Sequence, residues 1–249
     1  MNTEYMPLSA VAHRNLRFKQ GTLFFVQDQA VLPVSIAEAP RAALDLPLGF
    51  VRGVTGIGMV AICSLEAGVN NLLSHQGLWL GGYVPAAMAS HPFAFVSGQE
   101  PGQIVVGVYL ASNWLSREEG ELLFDEKGQP GPVLSGKIKT LQLLAPNLGR
   151  DAPVLAVLDE FGLLKPWEGL LDNSLLRVDQ DVLNSLGGAE MARLRDSHAL
   201  AMVYAHFLSM LRIDTVREIT GRRKEMLKAQ AAARPSPDMI LSNEIIRFG

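Results

Sequence analysis

The sequence predicts one α+β domain. Three observations predict it. Apolar and β-branched runs bounded by Gly, Pro and Asn crowd the stretch before residue 111. Apolar residues at three- and four-residue spacing dominate after residue 116. Strands first and helices later is the order of a segregated α+β domain, not of alternating βαβ units. The domain is expected over residues 1–220, a strand-rich N-terminal half joined to a helical C-terminal half. Residues 221–249 read as a basic helix end, a Pro-containing linker and an apolar tail.

Taken in order, Leu23-Phe24-Phe25-Val26 and Val31-Leu32-Pro33-Val34 are apolar runs around a polar turn, which predicts a hairpin. Ala37 to Leu44 predicts a short helix, interrupted by Pro40 and ended before Pro47. Gly58 to Leu65, Leu78 to Val84, Phe93 to Ser97 and Ile104 to Leu110 predict strands. The Ala-rich Pro85 to Ser90 predicts a helical turn. Ser116 with Glu119 fits a capping box and predicts a helix start. Asp125 to Pro132 reads as a loop, and Val133 to Leu144 as a helix stopped before Pro146. Asp151 is placed to cap a helix through Phe161, which Gly162 ends. Leu170 to Leu176 predicts two short strands about an Asp-Asn turn. Asp179 to Leu186 predicts a short helix. Glu190 to about Ala232 predicts one long helix, stopped by Pro235 and Pro237.

Composition sets limits on function. Hydrophobic residues make up 48% of the 249 residues and charged residues 19%, enough for a sizeable core. Net charge is −3, so no global attraction to nucleic acid is expected. The lone Cys63 rules out an intramolecular disulfide, and its apolar surroundings predict a buried, inert thiol. The first residues lack the basic-then-apolar pattern of a signal peptide, so a cytoplasmic start is expected. No apolar stretch is long enough to predict a transmembrane segment.

No motif assigns a catalytic residue, a metal ligand or a cofactor. None of His13, His75, His91, His198 and His206 opens a His-x-Asp/Glu or His-Glu-x-x-His pattern. His198 and His206 lie about 12 Å apart along one predicted helix, too far for one metal. Gly53-Val54-Thr55-Gly56-Ile57-Gly58 has the glycine density of a phosphate cradle. It lacks the strand–loop–helix order, so a tight turn is the better reading.

Two regions hold candidate binding residues. Trp79, Tyr83, His91 and Phe93 combine aromatic faces with polar tips. They line a pocket for a small molecule or peptide, or else form a packed core corner with satisfied hydrogen bonds. His13 and Asp125 join Trp79, Tyr83 and His91 in the candidate ligand set, although a turn-forming Asp needs no further role. Near the C-terminus, Arg222, Arg223, Lys224, Lys228 and Arg234 form a local basic run, readable as a solvated helix end. Beyond Pro235 the apolar Met239-Ile240-Leu241 and Ile245-Ile246-Arg247-Phe248 suit docking on the body, a twin subunit or a partner. Arg222, Arg223, Ile245, Ile246 and Phe248 are the candidate partner-binding residues.

An ordered series of short phrases runs through the chain. It begins His13-Arg14-Asn15-Leu16-Arg17, Ala39-Pro40-Arg41-Ala42-Ala43 and Leu46-Pro47-Leu48-Gly49-Phe50. Gly77-Leu78-Trp79, Gly82-Tyr83-Val84-Pro85 and His91-Pro92-Phe93 occupy the centre. Glu121-Leu122-Leu123-Phe124-Asp125, Gly128-Gln129-Pro130, Phe161-Gly162-Leu163-Leu164-Lys165-Pro166 and Tyr204-Ala205-His206-Phe207-Leu208-Ser209 complete it. In order and spacing the series resembles the SapC family of bacterial proteins over roughly residues 5 to 212. The resemblance implies a family linked by name to surface layers, some of whose members neighbour genes for outer-membrane receptors and flavin-dependent halogenase-like enzymes. It brings no catalytic residues. The permease label sometimes attached to the name conflicts with the absence of membrane spans. The segment from about Thr215 exceeds the family pattern.

The expected function is therefore a non-enzymatic binding or interaction protein linked to the cell envelope, with a protein partner or self-association. The alternative is an enzyme or enzyme accessory that holds a small molecule or peptide in the Trp/Tyr/His-lined pocket. Self-association through the long helix or the tail fits either.

Overall fold

The computed structural model describes residues 5–54, 56–100, 102–144 and 151–233. Nine strands come first: β1 (Met6–Pro7), β2 (Arg17–Phe18), β3 (Val31–Pro33), β4 (Leu48–Gly53), β5 (Gly56–Ile62), β6 (Phe93–Ser97), β7 (Ile104–Val108), β8 (Leu115–Ser116) and β9 (Glu121–Leu122). Short helices α1 (Ala39–Ala42) and α2 (Ala86–Ala89) interrupt them. Then follow α3 (Pro132–Leu144), α4 (Asp151–Glu160), β10 (Leu164–Pro166) and β11 (Leu175–Val178). Helices α5 (Gln180–Ser185), α6 (Gly188–Asp196), α7 (Ala199–Met210) and α8 (Ile213–Ala233) complete the described chain. The fold is α+β, strands mostly early and helices late.

The main sheet is antiparallel with strand order β10-β11-β4-β5-β3. Its edges are short, and each ends in a proline, Pro33 in β3 and Pro166 in β10. Its centre is the β4–β5 hairpin, in which Gly53 pairs with Gly56 across a two-residue turn. Gly56 there has φ +116, a conformation that L side chains rarely adopt. The glycine-rich segment is thus a hairpin turn.

Side chains alternate across this sheet. Leu48, Phe50, Met59, Ala61 and Cys63 face one core with Ala39 and Ala42 of α1, Leu155 and Leu158 of α4, and Met202 and Val203 of α7. Val60, Ile62 and Leu175 face the other way, against Leu170, Trp167 and Ile213. A separate core gathers Phe18, Phe93, Val108, Trp114, Leu123, Phe124, Leu134 and Leu141. It is built from α3 and two small antiparallel sheets, ordered β1-β7-β6 and β8-β2-β9. Cys63 is fully buried, and burial pushes its thiol up to about 12.

His206 joins helix to sheet. β11 pairs with β4 at Leu175↔Val51 and Leu176↔Phe50, a register that would bring Val178 opposite Leu48. The imidazole of His206 stands between them instead. Its Nδ1–H donates to the Leu48 carbonyl at 2.9 Å, and Nε2 accepts the Val178 amide at 3.2 Å. Ser209, one turn on, accepts the Leu48 amide at 2.9 Å. Both polar backbone groups of Leu48 therefore bond to α7. The ring is buried, and burial lowers its pKa to about 4.

Several elements differ from the sequence expectation. Phe24–Val26 is a single 3-10 turn, and β3 pairs with β5, so the predicted hairpin does not form. β4 was not anticipated, because Gly49 and the charged Arg52 break its apolar run. Leu78–Val84 forms no strand; the Leu73↔Trp79 bridge is an isolated pairing there. Ser116 starts no helix. Its hydroxyl accepts the Glu118 and Glu119 amides at 3.1 Å while Glu119 reaches Lys19, so the same residues close a turn after β8. Leu171–Asn173 is a left-handed turn, and β11 pairs with β4 and β10. The long helix is three helices. His198 sits at φ +64 between α6 and α7, after Asp196 and Ser197, residues whose side chains favour turns over helix interiors. Other expectations held. Ala39–Ala42 and Ala86–Ala89 are helical, α3 and α5 lie where predicted, and Gly162 at φ +62 follows the end of α4.

Among the described residues no single helix is long and apolar enough to cross a membrane. α7 and the first part of α8 reach that length only together, across a 40° bend.

His206→Ala leaves a buried carbonyl and a buried amide without partners. It should lower the unfolding free energy by about 3 kcal/mol or more in urea titrations. The folded-state pKa of about 4 for His206, and for His91, lies below the ordinary value near 6.5. The unfolded chain therefore binds more protons between these values. This stability is full above pH 6.5 and is lost as pH falls toward 4, by about 1 to 3 kcal/mol per pH unit. Urea titrations at pH 7 and pH 5 should show this slope, and His206→Gln should reduce it.

Candidate functional site

The segment Leu23–Gln27 runs along the seam between two hydrophobic cores. Leu23 and Phe25 pack against both of them. The 3-10 turn at Phe24–Val26 bends the chain here, so Phe24 is exposed while Val26 is buried. Residues after α2 and after β7 close on the same segment. Together they form a cleft of about 450 Å³ walled by Tyr5, Phe24, Phe25, Gln27, Met88, His91, Tyr109, Ser112 and Asn113, among others. Such seams are where ligand sites commonly form.

His91 lies at the base of this cleft, 4% exposed. Its ring stacks on Phe25 at 3.8 Å with 12° between planes. Trp114 meets it edge-on at 5.1 Å, and Tyr109 lies at 6.3 Å. Nε2 is 2.8 Å from the Ser112 hydroxyl, which also accepts the Trp114 amide at 3.1 Å. Nδ1 has no hydrogen-bond partner among the described residues, so it offers one polar position. Burial, and then the nearby Lys137 charge, lower the His91 pKa to about 4, so the ring is neutral at pH 7. Lys137 of α3 donates to the Ala89 carbonyl at 2.7 Å. Its Nζ lies 5.0 Å from the Phe18 ring and 5.1 Å from the Trp114 ring, and burial pulls its pKa down to about 8. The base of the cleft is thus a fixed aromatic cage with hydroxyl, phenol and amide groups around it. Among the described residues no carboxylate bonds to His91, and no group of three or more His, Cys, Asp or Glu could hold a metal ion.

Of the sequence-derived candidates, His91 lines this cleft. Trp79 and Tyr83 lie together elsewhere, the Trp79 indole donating to the Tyr83 carbonyl at 2.9 Å. The Tyr83 hydroxyl donates to Glu38 at 2.9 Å; burial first, and this bond second, raise its pKa. Glu38 is 8% exposed and is the centre of that group. One carboxylate oxygen takes Tyr83 and the Ala86 amide at 2.7 Å; the other takes the Ser35 amide at 3.0 Å and hydroxyl at 3.1 Å. Asp151 accepts the neighbouring Ile36 amide at 3.1 Å, and burial raises its pKa. Glu38 thereby fastens the start of α2 to α1, and α2 leads directly to His91. Phe93 is core, 1% exposed.

His13 and Asp125 belong to turns. His13 Nδ1 accepts the Ser9 amide at 2.9 Å. One Asp125 oxygen accepts the Lys127 amide at 2.9 Å and the Gln129 amide at 2.8 Å. Arg223 donates to the Asn70 and Leu73 carbonyls at 3.0 and 3.3 Å, while Arg222 is exposed beside Glu218. Ile245, Ile246 and Phe248 lie outside the described residues. Sequence reasoning missed Phe25, Tyr109, Ser112, Lys137 and Glu38. Glu38 alone left a signal, an acid between alanines and just before Pro40.

Glu38→Gln replaces an acceptor oxygen with an amide at a site where only donors converge. It should cost about 2 to 3 kcal/mol in urea titrations, against about 1 kcal/mol for Tyr83→Phe. Equal losses would show that the carboxylate does not hold the group together.

No curated protein and no solved structure matches this chain. The SapC family model matches residues 8–216. A match of that extent takes in the main sheet, the His91 cleft apart from Tyr5, the Glu38 group and α7, and the chain belongs to the SapC family.

Proposed function

We propose that this chain is a non-enzymatic binding protein linked to the bacterial envelope, holding a small organic molecule or a peptide side chain in the His91 cleft. The observation that carries the reading is the His91 ring, stacked on Phe25 at the base of an open cleft of about 450 Å³. Stacked rings give a planar or apolar group a rigid floor, and Tyr109, Asn113 and Gln27 add polar points that fix orientation. The link to the envelope is supported by the association that the SapC name carries.

A second reading, an enzyme, draws on one distance. Nε2 of His91 lies 2.8 Å from the Ser112 hydroxyl, within reach for a base to take its proton. Two facts weigh against it. A ring with a pKa of about 4 is a weak base at neutral pH, and the same hydroxyl is engaged by the Trp114 amide.

Native mass spectrometry of the purified chain should show retained non-covalent mass. His91→Phe and Tyr109→Ala should reduce it, while Trp79→Ala leaves it unchanged. Loss of mass with Trp79→Ala alone would move the site to the Glu38 group. A fluorophosphonate adduct on Ser112 would favour the enzyme.

A further inference from the structure

One proton at the floor of the His91 cleft decides what the cleft can hold. The Ser112 hydroxyl accepts the Trp114 amide at 3.1 Å and lies 2.8 Å from Nε2 of His91. Those are its hydrogen-bond contacts among the described residues, and a hydroxyl has a single proton to give. If Nε2–H donated to it, the hydroxyl would accept twice and its own proton would have no protein acceptor. Ser112 is buried, so that loss would be costly. The hydrogen-bond count therefore assigns the hydroxyl as donor and Nε2 as acceptor. The ring is neutral at pH 7, so its proton sits on Nδ1.

Nδ1–H has no partner among the described residues, yet no side-chain nitrogen or oxygen that is fully buried among them goes unpaired. Nδ1 is therefore open, and the opening that His91 lines is the cleft. A donor on a ring only 4% exposed is thus left for a visitor. The surface around it is aromatic, since Tyr5, Phe24, Phe25 and Tyr109 all line the cleft. Tyr5 and Tyr109 pack ring against ring at 5.9 Å, tilted by 47°. Such faces and edges favour offset or edge-on contact with a further ring. Charge is sparse. Among the described residues no Lys or Arg lines the cleft, and its carboxylate is the exposed Asp28. The Lys137 ammonium lies outside the lining, 5.1 Å from the Trp114 ring that meets His91 edge-on. An anion entering the cleft would leave water without gaining a counter-charge. A cation would meet a donor with an ammonium nearby.

We propose that the cleft selects an uncharged aromatic group bearing a hydrogen-bond acceptor, a ring carbonyl or a ring nitrogen, that bonds to Nδ1–H of His91. This rests on the reading of the cleft as a binding site and names its ligand class. Ser112 is the positioning residue, which holds the tautomer and acts through His91. A ligand without the acceptor leaves Nδ1–H unpaired. One that presents a donor or a positive charge there is repelled.

The test offers the full chain, at pH 7, three probes of nearly one shape. Quinoxaline carries ring-nitrogen acceptors, naphthalene carries none, and N-methylquinolinium is a cation. Labelling the histidines with heavy nitrogen lets NMR report both tautomer and binding. In the free protein Nδ1 of His91 should show the shift of a protonated nitrogen and Nε2 that of a bare one, with the His91→Phe spectrum assigning the signals. Quinoxaline should move the Nδ1 signal and bind at least about 10-fold more tightly than naphthalene or the cation. Ser112→Ala should let the proton divide between the two nitrogens and bring that ratio below about 3-fold. A proton on Nε2 in the free protein, equal affinities, or no binding of quinoxaline overturns the ligand class. The binding reading is judged apart, by native mass spectrometry. Retained mass that is lost in His91→Phe leaves it standing even when the ligand class fails.

Discussion

An imidazole standing in a β-ladder organises this molecule. β4 and β11 are hydrogen-bonded directly at their paired residues, and then His206 takes over between Leu48 and Val178. A side chain from α7 thereby completes the bonding of two strands that are far apart in sequence. Ser209 adds the remaining Leu48 amide. The consequence reaches beyond the local bonds. β11 and β10 come from the helical half of the chain, and β4 and β5 from the strand-rich half. His206 is where these halves become one structure, and the apolar residues of α7 bury themselves against the sheet only because its polar ones are satisfied there.

The same principle recurs on a smaller scale at Glu38. A carboxylate away from water is tolerated because donors surround both oxygens. Those donors come from the loop before α1, from Tyr83 and from the start of α2. The group therefore sets where α2 begins, and His91 follows two residues after α2 ends. His91 then depends on the other core for its aromatic walls. The cleft exists because two cores with different partners share one short segment, Leu23–Gln27, and cannot close fully around it.

The sequence revealed what local chemistry decides. Prolines, glycines and caps placed α1, α2, α3, α5 and the end of α4 close to where they stand. The strand-then-helix order was likewise legible, as was the burial of Cys63. Long-range pairing was not. β3 looks like a hairpin partner for the run before it, yet its bonds go to β5. Ser116 and Glu119 fit a helix start, but β2 recruits their neighbours as a strand and Lys19 takes the glutamate. Of the candidate site residues, His91 was visible as an aromatic neighbour in sequence. Phe25, Ser112 and Lys137, which shape its environment, reach it only through tertiary structure, and nothing in their local sequence marks them.

The prolines at the rims of the main sheet bear on how copies of this chain meet. Each outer strand is three residues long and ends in a residue with no amide hydrogen, Pro33 on one side and Pro166 on the other. β1, an edge of a smaller sheet, likewise ends in Pro7. An incoming strand finds too few donors to register against at any of these rims. Growth by strand addition is thereby disfavoured, in crowded solution as well as during folding. At these rims, lasting contacts with other molecules are left to the neighbouring helices and loops.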